Sequence, residues 1–136
     1  MESKPAFKLY GIWQMTVAAL LGSPLPGFWM ASQNLRRLGR IKEAKRSMVW
    51  GVGLTGANIA IAFTLPDSAP RSSIAIPFVI GTKMMIERWL KPALDEHRAA
   101  GGSFASWWVA VGCGIASLIA ILALVFGVLV LLETMK

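Results

Sequence analysis

Lys83, Glu87 and Lys91 stand four residues apart in an otherwise apolar part of the chain. That spacing sets them along one face of a helix, where an acid and two bases can satisfy one another. A charge inside a lipid-soluble helix marks, by default, an ion pathway, a proton relay or a partner contact. A plainer reading also fits: the charged end of the helix lies at an interface, and Lys83 reaches out along its methylene stem to water. At about 1.5 Å per residue, Lys83 falls about 15 Å from Ser73 and somewhat to the charged side of the middle.

A second chemical feature is the run Gly22-Ser23-Pro24-Leu25-Pro26-Gly27. Pro24 and Pro26 each remove a backbone donor and crowd the preceding turn. A kink or short unwound stretch is expected at residues 23–27, and its freed carbonyls need partners from protein or water. Broken helices of this kind line sites in transporters, although a bent helix packed on its neighbours is the simpler expectation. Asn58 sits mid-way along the next apolar segment, with Gln14 and Ser117 in others. Such groups hydrogen-bond between helices. Asn58, Lys83 and Glu87 together are the candidate polar site.

Catalytic machinery is not legible. The single histidine, His97, lies beside Asp95 and Glu96 and is expected in a solvated turn. One histidine with two acids is too small a set for a metal site. The lone cysteine, Cys113, lies in an apolar run and has no partner for a disulfide. Neither a phosphate-binding loop nor a nucleophile elbow is present. The sequence therefore points away from an enzyme, a cofactor or a metal.

These residues need elements to hold them. Of 136 residues, 55% are hydrophobic and 15% charged, against about 25% charged in a soluble domain. The mean hydropathy is +0.57. A chain so short and so apolar cannot hide its hydrocarbon surface in an aqueous core, so lipid is the expected solvent. Four apolar segments follow, at about residues 9–32, 48–65, 73–90 and 104–132. A spanning helix needs about 20 residues. The fold class is therefore all-α, an integral membrane four-helix bundle in a single domain over residues 1–136. The segment at 73–90 is the least apolar of the four. Glu2, Lys4 and Lys8 ahead of the first segment imitate a leader sequence. Apolar character resumes at Phe28-Trp29-Met30, so the segment reads as a retained helix.

Charge sets the orientation. Fourteen Lys and Arg face seven Asp and Glu, a net +7. The densest basic run is residues 35–47, with Arg36, Arg37, Arg40, Lys42, Lys45 and Arg46 against Glu43. Arg88, Lys91 and Arg98 lie at and after the end of the third segment, with Asp95 and Glu96. The positive-inside bias places both connectors in the cytoplasm, with both termini and the 66–72 loop outside. Trp29, Trp50, Trp89, Trp107 and Trp108 adjoin the basic connectors, whereas Trp13 and Tyr10 are expected near the other face. Arg36, Arg37, Arg40 and Lys42 are candidates for anionic lipid headgroups, at about 1 kcal/mol each. No motif accompanies the charge that would direct it to nucleic acid.

Small residues recur along two helix faces. Gly53, Ala57, Ala60 and Thr64 share one; Gly112, Ala116, Ala120, Ala123 and Gly127 share the other. Small faces let helices approach closely in lipid. They are expected to pack within the molecule, or else against a membrane-protein partner or a second copy. Each half also pairs a proline-bearing segment with a Gly/Ala-rich one. This outline fits two hairpins running in parallel, as in a parallel repeat, or simply two adjacent hairpins.

The run 22–27 followed by Asn34-Leu35-Arg36-Arg37-Leu38-Gly39-Arg40 resembles a pattern in uncharacterised small bacterial multipass proteins. The likeness covers about 20 residues and implies a bacterial inner-membrane setting, with no activity attached. Three functional classes remain. The favoured one is a non-enzymatic protein that binds another membrane protein, such as an immunity protein against a membrane-targeting toxin or an accessory subunit. The others are a small transporter or channel subunit and, last, an enzyme acting on lipid.

Overall fold

A computed structural model describes residues 5–70 and 72–136. Glu2, Lys4 and Arg71 lie outside the described residues. Among the described residues five helices form: α1 Ile12–Leu21, α2 Pro24–Arg37, α3 Ile41–Thr64, α4 Ser72–Ala99 and α5 Trp107–Thr134. The fold class is all-α, and α3 and α5 are long and apolar enough to cross a membrane. α4 is as long as α5 but carries Pro77, Pro92 and the alternating charges.

The first apolar segment departs from expectation. It is two helices, of 10 and 14 residues. The break falls at Gly22–Ser23, and Pro24 takes the first position of α2, where its missing N–H costs nothing. The Ser23 hydroxyl and the Thr55 hydroxyl of α3 both accept from the Leu25 N–H, at 3.3 and 3.1 Å. The chain then turns back instead of bending. Asn34, near the end of α2, binds the backbone of Tyr10, just before α1, through its carbonyl oxygen and its amide nitrogen. α1 and α2 are thus an antiparallel hairpin. At 1.5 Å per residue its arms reach only about 15 and 21 Å.

α1 fills the middle of the molecule and packs on α2, α4 and α5, while α2 packs on α3. α4 and α5 make no contact with each other, because α1 lies between them. The expected second hairpin, 73–90 with 104–132, is therefore opened by α1. Residues 8–11 join the segment just before α5 through a parallel bridge between Leu9 and Phe104, with Leu9 N–H to the Ser103 carbonyl at 3.3 Å and Ala105 N–H to the Leu9 carbonyl at 2.9 Å. The start of α1, both charged connectors and the start of α5 share one end of the molecule. The expectation that the N-terminal region lies opposite the basic connectors is corrected for residues 8–11. Residues 1–4 are outside the description.

Both connectors at this end turn through a glycine in left-handed conformation, Gly39 at φ 77° and Gly101 at φ 70°. Each closes its helix with the same bond pair: Arg40 N–H to Leu35 and Gly39 N–H to Arg36, then Gly102 N–H to His97 and Gly101 N–H to Arg98. This is the terminal motif for which glycine is favoured, since a side chain at positive φ is strained. The core follows the hairpin, with Leu9, Met15, Phe28, Met30, Leu35, Ile86 and Leu90 fully buried.

Candidate functional site

Close approach between helices falls on glycines outside the two expected stripes. A methyl group on Gly22 would stand 2.6 Å from the Gly114 carbonyl oxygen, and one on Gly114 2.8 Å from Leu21 Cβ. One on Gly27 would meet the Met15 carbonyl at 2.9 Å, and one on Gly51 would meet Phe28 Cβ at 2.8 Å. These four seat α1 on α5, α2 on α1 and α3 on α2. The expected packing glycines Gly53, Gly112 and Gly127 have no neighbour that an added methyl would touch. Ala57, Ala116 and Ala120 are exposed. Neither stripe makes a close helix–helix approach at its glycines.

The α5 face instead borders an apolar groove of about 540 Å³. Ala116, Ala120 and Leu124 of α5 form one wall; Leu25, Pro26 and Trp29 of α2 form the other. No charged residue lines it. Beyond the hairpin tip, α5 continues alone, and no residue of its most apolar 18-residue stretch is buried. Cys113 lies at the groove's edge, half-buried.

A second recess, about 160 Å³, opens over the hairpin tip between α3 and α4. Pro24, Ser23, Thr55 and Asn58 line it with Phe78 and Val79. The helix break and Asn58 are thereby brought together, as parts of one cavity. Lys83 and Glu87 are not part of it. The Lys83 ammonium pairs with Glu87 at 2.9 Å and lies 4.9 Å from the centre of the Trp13 ring. Both side chains are about a third exposed. The candidate polar set is therefore split in two.

The third recess is a groove of about 530 Å³ at the basic end. It runs between the first turns of α1 and α5 and the charged half of α4. Gln14 braces this end. Its amide nitrogen donates to the Ala105 carbonyl at 2.6 Å, and its oxygen accepts from the Gly11 N–H at 2.7 Å.

The basic candidates divide. The Arg37 guanidinium donates to the Lys8 carbonyl and covers the Tyr10 ring at 5.3 Å. Arg40 donates to the Trp89 carbonyl at 3.2 Å and pairs with Glu43. Arg36 and Lys42 are exposed. His97 is not in a solvated turn: it is 5% exposed. It lies 3.0 Å from the Ser103 carbonyl, between the rings of Phe7 and Phe104 at 5.4 and 5.6 Å. Trp13 and Tyr10 also move, joining the other five tryptophans toward the basic end.

Comparison with protein-family models, curated proteins and solved structures gives no match.

Proposed function

We propose that this chain is a small non-enzymatic membrane protein that binds a transmembrane helix of another membrane protein in its apolar groove. α3, α4 and α5 cross the bilayer, and the α1–α2 hairpin enters from one side. Its arms of about 15 and 21 Å are short of the roughly 30 Å hydrocarbon core, so the hairpin is re-entrant. Buried surroundings of protein make such a tip tolerable at membrane depth. All six tryptophans lie toward one end with the basic connectors, and this supports a reading in which that end sits at the headgroups on the cytoplasmic side. The setting is the bacterial inner membrane, as the short sequence resemblance implies. Arg36 and Lys42 are left to meet anionic lipid.

The observation that carries the reading is the uncovered α5 face. Within the molecule, close packing is done by Gly22, Gly27, Gly51 and Gly114, while Ala116 and Ala120 line an uncharged groove. A small-residue wall in lipid favours an apolar helix, because it allows close backbone approach. An accessory subunit or an immunity protein would use such a surface. A photo-crosslinking residue at Ala120 in native membranes tests it. The expected product is an adduct with a different membrane protein, lost in an Ala116→Leu background and kept in Gly53→Leu. Only self-adducts, or none, would overturn the reading.

The cavity at Pro24 and Asn58 favours a second reading, a small transporter or channel subunit. That reading requires solute flux in proteoliposomes that falls when Asn58 is replaced by leucine.

A further inference from the structure

The groove at the basic end is distinct from the proposed helix-binding face, and its charges follow a different pattern. Glu87, Lys91, Asp95 and Arg98 of α4 line it, with Trp13 and Trp107 opposite. Their signs alternate along the helix, two acids and two bases. The neighbouring connector, by contrast, holds six bases and one acid. Glu87 is shared with Lys83, and the Arg98 guanidinium lies 5.3 Å from the centre of the Phe104 ring. Lys91 and Asp95 are exposed and form no ion pair among the described residues. Trp13 and Trp107 are 64% and 52% exposed, which suits indoles at headgroup level.

From this arrangement we propose that the groove binds the headgroup of a zwitterionic aminophospholipid, of the phosphatidylethanolamine class. Lys91 and Arg98 hold the phosphate. Asp95, with Glu87 beside it, holds the primary ammonium. Successive charged residues on the α4 face have their Cβ atoms about 6 Å apart, close enough for neighbouring side chains of opposite sign to meet the phosphate and the ammonium of one short headgroup. A singly anionic headgroup would leave the acids facing a like charge. A quaternary ammonium would give them no hydrogen-bond donor. The exposed indoles and the flanking apolar helices fix the lipid, rather than a free phosphate ester, as the source.

The full chain, in nanodiscs holding equal parts of phosphatidylethanolamine, phosphatidylcholine and phosphatidylglycerol, is released for native mass spectrometry. Wild-type protein is expected to retain phosphatidylethanolamine over each of the others by roughly threefold, the scale of one exposed charge contact. Asp95→Asn removes the preference over phosphatidylcholine. Lys91→Gln lowers retention of all three lipids, since each carries the phosphate that Lys91 holds. Excess glycerophosphoethanolamine does not displace the lipid. Asp95 is exposed, so its variant keeps the fold, as circular dichroism checks. Equal retention of the three lipids, preference for phosphatidylglycerol, a preference untouched by Asp95→Asn, or full displacement by the soluble headgroup would each overturn the proposal.

Discussion

Asn34 and Tyr10 hold each other through two hydrogen bonds of 2.8 Å, from the Tyr10 N–H to the Asn34 carbonyl oxygen and from the Asn34 amide to the Tyr10 carbonyl. Asn34 is completely buried. The pair closes the hairpin 24 residues apart in sequence. It also satisfies backbone groups that precede the first turn of α1 and have no helical partner.

Asn34→Leu should therefore destabilise the protein, leaving a buried donor and acceptor unpaired at a cost of about 1–3 kcal/mol each. Detergent-induced unfolding monitored by circular dichroism reads this directly. Asn34→Asp should also cost stability, since it cannot donate to the Tyr10 carbonyl when ionised. A wild-type midpoint in both variants would show that the pair does not close the hairpin.

Two sets of small residues should behave oppositely. Gly22→Val and Gly114→Val force side chains into neighbouring backbone and side-chain atoms, with an overpacking cost of about 1–3 kcal/mol. Gly53→Val and Gly112→Val meet open space, and in the isolated protein their effect should stay within about 0.5 kcal/mol. Thermal unfolding in detergent separates the sets. Equal loss in both would restore the stripe reading of the sequence.

Lys83 is a coupled partner and not an isolated charge. Lys83→Gln should cost about 0.5–1 kcal/mol, the worth of an ion pair about a third exposed together with its cation–π contact. Glu87→Gln in the same background should add less than it does alone, which a double-mutant cycle measures. Strict additivity would contradict the pairing.

How much of this was legible in the sequence depends on range. α3 and α5 follow from unbroken apolar runs, and the position of the first break follows from Pro24 and Pro26. A proline break fixes where a helix ends and not the direction the chain then takes. That direction is held by Asn34 with a backbone 24 residues away, which no local pattern carries. The same distance effect explains the glycines. Periodicity selects faces, but Gly22 and Gly114 meet only because the hairpin lays α1 along α5. α4 runs on to Ala99 because its charged end keeps helical spacing. His97 was read as solvated from its acidic neighbours. The rings that cover it, Phe7 and Phe104, come from the start of the chain and from the α4–α5 connector. The apolar groove was half legible: Ala116 and Ala120 were named, and the wall opposite them was not.

Removing the break should change the outcome. Proline is about 3 kcal/mol worse than alanine inside a helix. A Ser23→Ala, Pro24→Ala, Pro26→Ala chain that also carries Asn34→Leu should favour one helix over residues 12–37, long enough to span. Some molecules should then present residue 8 on the far side of the membrane, seen as split labelling of a cysteine placed there. Unchanged, single-sided labelling would show that packing on α4 and α5 alone holds the hairpin.

The re-entrant hairpin is the central claim, and the sidedness of two positions tests it most directly. In a Cys113→Ser background, single cysteines at Lys8, Lys42 and Lys136 are probed with a membrane-impermeant maleimide in sealed vesicles of known orientation. The account predicts that Lys8→Cys and Lys42→Cys label from the same side, and Lys136→Cys from the other. Labelling of Lys8→Cys and Lys42→Cys from opposite sides would mean that residues 9–32 cross the membrane as one span, and would contradict it.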